Sequence, residues 1–534
     1  MMSGWRVRRV PGPMMRTGCE RANSTGRRGS GATPGTGYFR PPATRRLENP
    51  AERAQEHPVR LNSKSLRADI GGVTIRPRTP APESVPVSDV FAALSFALDL
   101  TEGQPMGHAL RTCLIAMEIG GRIGLPLQSQ RDLYYAALLK DAGCSSNAAH
   151  VFSLFGGDDR MTKGARMQVD WSNYFRAAFY AMAHAEPGGS WFARARRVAG
   201  LARGGPRLAA ELVEIRCRRG AEIVTHLGLG PGAAAAVRSL DEHWDGRGHP
   251  RSLQGDEIPI VARILTFSQT LEVFAMRGGV EHGLAIVRER AGKWFDPLVV
   301  AASSGLERDL ASWCALETRE LQERVVESEP GSAALLAGSS ALDRIAQVFA
   351  EIVDAKSPFT GAHSQRMTQL AVATARQLGW DEAGVAEVRR AGLLHDLGKL
   401  TVPNTILDKP SPLTASEWEV MRMHALFTER ILEHVRGFEW MAFAAASHHE
   451  RLDGSGYCRG LHGDQVPTLS RVLAVADVYD ALSTRRPYRA ALEHEEALTY
   501  LERDRGTGLW APALDALEQV LEDASGAGEV GKAA

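Results

Sequence analysis

Long apolar runs are missing from this 534-residue chain: none reaches the roughly 18 residues of a membrane-spanning helix. Net charge is missing too, with 63 Lys+Arg against 63 Asp+Glu, so the chain as a whole carries no basic footprint for nucleic acid. The balance is uneven, because residues 1–85 hold 16 of those cations and 6 of those anions, which leaves the remainder acidic. Cysteine is scarce. Cys19, Cys113, Cys144, Cys217, Cys314 and Cys458 are scattered with no CxxC pair, which argues against a disulfide frame and for reduced thiols in a cytoplasm. The opening MMSGWRVRRV has charge but no apolar stretch after it, so it does not read as a signal peptide. Strand-type alternation is almost absent as well, which leaves an all-α reading.

What is present is helical periodicity. VFAALSFALDL, ALRTCLIAMEIGGRIGL, RIAQVFAEIVDA and RMTQLAVATARQLGW repeat apolar residues every three or four positions. Residues 1–85, rich in Arg, Gly, Pro, Ser and Thr, predict a disordered basic segment. VESEPGSAALLAGSS reads as a linker over 326–340, and 526–534 as a flexible tail. The two helical halves, 88–325 and 341–525, look like copies. LLKDAG pairs with LLHDLG, WDGRGH with LDGSGY, and IPIVARILTFSQ with VPTLSRVLAVAD. His108, Lys140, Arg216, Leu240 and Gln269 repeat three of the four intervals of His363, His395, His424, His448 and Asp477. The odd interval marks an insertion near 144–215. FGGDD inside it is similar to a cyclase signature, but five residues without that context read as a chance match.

The second half carries the chemistry. His395 and Asp396 lie in GLLHDLGKL, an apolar run read as a helix ending at Gly398. A polar pair there is costly to bury unless something satisfies it, and metal coordination does. With His363, His424, His448, His449 and Asp477, the set offers five imidazoles and two carboxylates, and Asp396 has two oxygens with which to bridge. Imidazole and carboxylate together suit Fe or Mn. Two such cations about 3.5–4 Å apart bind a phosphate and generate a bridging hydroxide. Lys399, Arg486 and Arg489 are placed to meet phosphate oxygens. Taken singly, His424, His363 and these cations would be ordinary surface or core residues; the joint spacing makes the case.

HSQRM, LLHDLGKL, MRMHALFTERIL, SHHERLDGSGYC and ADVYDALSTRRPYR together resemble the HD-GYP domain, a bacterial branch of the HD phosphohydrolases. The resemblance is strong over about 340–525 and decayed over 88–320. It implies two tandem all-α HD-type domains and a phosphodiesterase that hydrolyses cyclic di-GMP to linear pGpG and GMP at a two-metal site. It implies one metal on His363, His395, Asp396 and Asp477, and a second on Asp396, His424, His448 and His449. Catalysis would rest on Asp396 and Lys399, with Lys399, Tyr457, Asp480, Arg486 and Arg489 on the substrate side, Asp480 as support for the site. Two features depart from the family pattern. Cys458 stands where the family has Pro, which removes a fixed φ from the loop. Phe359 stands where three-metal members carry Glu, which favours two metals. In the first half only His108 and Asp141 survive as ligands, so it is expected to pack, dimerise or sense. Cyclic di-GMP or a related cyclic dinucleotide is the expected partner, with a second copy of the chain and signalling proteins as further candidates. The alternatives are another cyclic dinucleotide or a nucleotide phosphate as substrate, or nucleotide or partner binding without turnover.

Overall fold

The three- and four-residue apolar spacing is realised as helix almost throughout. The computed structural model describes residues 82–166, 180, 182–185, 190–332, 334–485 and 489–530. The expected disordered segment therefore lies, up to residue 81, outside the described residues, as do Arg486 and the last four residues of the expected tail. Among the described residues the named strands are Ser84–Pro86 and Leu336–Gly338, paired antiparallel. They join the end of the segment expected to be disordered to the middle of the one expected to be a linker. No described helix is long and apolar enough to cross a membrane.

The helices begin where side chains can satisfy free amides. Asp381 accepts from the Gly384 amide at 2.8 Å to start Glu382–Leu394. Thr414 and Glu417 form a reciprocal capping box at the start of Ala415–Leu432, the helix that carries His424. The helix that was read as ending at Gly398 stops at Leu394. His395 caps it, and a 3₁₀ turn, Leu397–Thr401, follows Asp396. That break turns the His-Asp pair out of the helical repeat and into the space between helices.

The duplication is visible in the backbone. His108–Ile123 and Leu127–Leu139 correspond to His363–Gln377 and Glu382–Leu394, and Ile260–Gly278 corresponds to Thr468–Ser483. Glu242 accepts from the amides of Arg251 and Leu253 at 2.7 and 3.0 Å, and Glu450 accepts from Arg459 and Leu461 at 2.6 and 3.0 Å. Each Glu staples the same glycine-containing loop, closed by the bridge Asp245–Gln254 in one half and Asp453–His462 in the other. In the insertion, short helices Ala148–Phe155 and Asp159–Arg166 precede a 36-residue helix, Trp191–His226.

The halves share one apolar core, which runs without interruption from Val85 to Leu517. Polar ties cross between them: Gln322 donates to the His434 carbonyl at 2.9 Å, and Arg436 pairs with buried Asp89 at 2.9 Å. Burial of that apolar area, at roughly 25 cal/mol per Å², is the main force joining the two copies.

Candidate metal centre

Five helices, counting Glu382–Leu394 whose end carries His395 and Asp396, deliver the predicted residues to one point. His363 opens its helix, after Ala362 in the left-handed region at φ 58°. The first half has Gly107 at the matching place, so the second half accepts a conformation that L-residues disfavour by about 1–2 kcal/mol. His424 lies mid-helix, His448 and His449 follow Glu439–Ala446, and Asp477 sits within Thr468–Ser483. Gly398 must be glycine, because a Cβ there would run into the His424 carbonyl. Thr428 ties the same two segments, accepting from the Gly398 amide and donating to the His395 carbonyl, both at 2.9 Å.

The imidazoles are oriented by the backbone. The Nδ1 atoms of His395, His424 and His448 each lie 2.7 Å from a carbonyl three residues earlier, those of Gly392, Met421 and Ala445. A carbonyl only accepts, so Nδ1 carries the proton and Nε2 presents its lone pair inward. His363 does the same through Asp480, at 2.6 Å. The Nε2 atoms of all four histidines, and Oδ1 of Asp396, are buried without a hydrogen-bond partner among the described residues. Orphaned buried acceptors are costly, and five converging on one point fit a cation.

Asp396 lies between two groups. Its Oδ2 is 3.1 Å from His395 Nε2 and 3.6 Å from His363 Nε2. Its Oδ1 is 3.4 Å from His424 Nε2 and 4.0 Å from His448 Nε2. Donor atoms of His363, His395 and Asp477 fall within 4.8 Å of one another, and so do those of His424, His448 and His449. Burial drives the His424 pKa down to about 4 and that of His449 to about 3, so both stay neutral, as ligands must. Burial works against the charged form of His363 too, but the three carboxylates it faces, Asp396, Asp477 and Asp480, outweigh it and raise that imidazole to about 10, so a cation binding at its Nε2 displaces a proton. Asp396 and Asp477 are held well below the usual carboxylate range: burial opposes this, but the facing imidazoles and, for Asp396, the Lys399 ammonium prevail.

The other predicted residues divide. Lys399 pairs directly with Asp396 Oδ2. The Tyr457 ring lies 4.7 Å from that of His449. Asp480, grouped on the substrate side but read as support for the site, lies against His363 and Arg366, whose Nε is 2.8 Å away, a place from which it orients the His363 ring. Arg489 donates to the carbonyls of Leu482 and Ala481 at 2.9 and 2.6 Å, at the end of the helix Thr468–Ser483. Arg486 lies outside the described residues. Despite Cys458, the loop is held by the Glu450 staple and by the Tyr457 amide on the His449 carbonyl at 3.2 Å.

Sequence reasoning missed Thr428, Arg366, Trp418 and Arg422. Arg366 follows His363 by one helical turn and Asp480 follows Asp477 likewise, so two facing i,i+3 pairs were the available signal. Arg422 lies over the rings of both Tyr457 and Trp418, at 5.4 and 5.7 Å, and Trp418 is 43% exposed.

In the first half protein cations take over. Lys140 pairs with Asp141 and Arg216 with Asp241. The orienting pair survives: His108 Nδ1 bonds Glu272, which also pairs with Arg111 at 2.7 Å, as His363 and Arg366 share Asp480.

The HD domain family profile matches residues 208–299 and 347–514, one stretch in each half. The 3'3'-cGAMP-specific phosphodiesterase 3 of Vibrio cholerae is 38% identical over 441 residues, covering 83% of this chain and 96% of that protein. The cyclic di-GMP phosphodiesterase of Thermotoga maritima is 39% identical over 155 residues, 29% of this chain and 42% of that protein. Among solved structures, that of a cyclic GMP-AMP-specific phosphodiesterase of Vibrio cholerae is similar with a TM-score of 0.58 at 35% identity. The match covers 82% of this chain and 98% of the other.

Proposed function

Since the chain belongs to the HD domain family, in its HD-GYP branch, we propose that its second half is a metal-dependent phosphodiesterase that opens a cyclic dinucleotide to its linear form. The observation that carries this is Asp396, whose two oxygens face two separate groups of histidine Nε2 atoms. His363, His395, Asp396 and Asp477 would hold one cation, and Asp396, His424, His448 and His449 the other. Bound there, two iron or manganese ions would supply Lewis acidity to a phosphate and lower the pKa of an attacking water.

The chain's own residues do the rest. Asp480 and the carbonyls of Gly392, Met421 and Ala445 keep four imidazoles aimed inward. Lys399 puts its ammonium at the rim of the cluster, where its side chain is 16% exposed and within reach of a phosphate oxygen. Tyr457, Arg422 and Trp418 form a run of flat faces leading outward from His449, suited to stacking a base. Similarity over nearly the full length of a 3'3'-cGAMP-specific enzyme favours 3'3'-cGAMP as substrate, ahead of the cyclic di-GMP that the motifs alone imply.

The test is to load the full chain with Fe(II) or Mn(II), incubate it with 3'3'-cGAMP, cyclic di-GMP and cyclic di-AMP, and separate the products. A linear dinucleotide is expected, fastest from 3'3'-cGAMP. A folded, metal-loaded chain that opened none of the three would sink the proposal. Lys399→Ala should keep its metal while kcat/KM falls roughly ten- to hundredfold, since a hydrogen bond to a charged group contributes about 1.5–3 kcal/mol. Loss of metal in that variant would make Lys399 part of the metal site instead.

A further inference from the structure

The FGGDD stretch, read from sequence as a chance match, has a place in the fold. Asp159, at its end, starts the helix Asp159–Arg166 and is fully buried. Its Oδ1 accepts from the Asn404 amide at 3.0 Å, and its Oδ2 lies 3.5 Å from Lys356 Nζ and 3.7 Å from Lys163 Nζ. Lys356, also fully buried, donates to the Leu400 carbonyl at 3.1 Å. Arg160 donates to the Thr401 carbonyl. Leu400 and Thr401 close the 3₁₀ turn that starts after Asp396 and carries Lys399.

The helix itself is rooted in the first half. Lys163 donates to the Cys144 carbonyl at 2.7 Å, and Arg277 to the Gly164 carbonyl at 3.2 Å. Gly103, at φ +68°, leaves the room in which the Arg160 carbonyl is seated. The insertion thus grips the main chain of the second half directly at Thr401 and Asn404, and at Leu400 through Lys356, at the end of the turn that carries Lys399 and just beyond it.

We propose that Asp159 and Arg160, contributed by the catalytically decayed half, are positioning residues for the turn that carries Asp396 and Lys399. The proposal rests on the phosphodiesterase reading of that site. A buried cluster of this kind is weak as a source of stability, because an apolar replacement often holds a fold equally well. Arg160, and Lys356 held by Asp159, donate to the last two carbonyls of the turn, and Asp159 fixes the Asn404 amide just after it, which sets the turn's place. The second half then depends on the first for geometry, which gives the first half a reason to persist without ligands of its own.

The experiment uses the full chain loaded with Mn(II) and the variants Arg160→Ala, Arg160→Lys and Asp159→Asn. Arg160 is partly exposed, so its replacement leaves no buried charge and keeps the test open if Asp159→Asn fails to fold. Amide hydrogen exchange is followed over 397–404, and kcat and KM are measured on 3'3'-cGAMP and on bis(p-nitrophenyl) phosphate. Faster exchange confined to 397–404 is expected, with kcat down roughly 10–100-fold, as for loss of an outer-sphere partner. KM and metal content should stay within about twofold, with partial rescue in Arg160→Lys. Unchanged exchange in Arg160→Ala, unchanged kcat, or a loss that merely tracks global unfolding would overturn the proposal. A wild-type chain that cleaved the generic diester but no cyclic dinucleotide would refute the substrate assignment alone, with the Arg160 comparison still read on the generic diester.

Discussion

Asp396→Ala is expected to lose at least one metal ion and nearly all phosphodiesterase activity while remaining folded. Both carboxylate oxygens are in use, one toward His395 and His363 and one toward His424 and His448. Removing them takes a ligand from each group at once, so the fall in kcat should exceed the roughly 10–100-fold typical of an outer-sphere change. The helices around the site are held by apolar burial that does not involve this side chain. Asp396→Asn is the finer control, keeping the shape and losing the charge. Metal content, circular dichroism and rates belong on the same preparations. Wild-type activity in a folded, metal-loaded Asp396→Ala protein would remove the site from the second half.

Glu272→Ala should cost about 3–5 kcal/mol of stability, the range for removing one partner from a buried ion pair. Glu272 is 1% exposed and serves both His108 and Arg111, the latter 4% exposed, so its loss strands a buried guanidinium. Desolvation opposes the ionised carboxylate, but His108 and Arg111 hold its pKa below the ordinary glutamate value, so it is charged at neutral pH. The denaturant midpoint reads the effect, and kcat per folded, metal-loaded chain should stay within about twofold. An unmoved midpoint would mean that the first half is not held together by the remnants of the old ligand geometry.

Much of this was legible in the chain because it is written at short range. Apolar residues every three or four positions give the helices, and the intervals among His363, His395, His424, His448 and Asp477 give both the cluster and its decayed copy. Adjacent His448 and His449 serve one group of donors, with DGSGY forming the stapled loop beside it. What escaped depends on contacts far apart in sequence. The strand Ser84–Pro86 finds Leu336–Gly338, and neither three-residue segment has an alternation to betray it. The contacts of Arg489 with the end of the helix Thr468–Ser483 have no trace in its spacing. Asp159 reads as chance until Lys356 and Asn404 come beside it. The early end of Glu382–Leu394 follows from the same cause, since apolar periodicity carries on through LLHDLGKL while the chain turns.

The most direct measurement is the metal content of the full chain, purified without oxygen and loaded with iron or manganese. About two ions per chain are expected, matching the two groups of donors that share Asp396, with both lost or halved in Asp396→Ala and unaltered in His108→Ala. A chain that stays metal-free after loading, or one whose metal content falls with His108 and not with Asp396, would contradict the account.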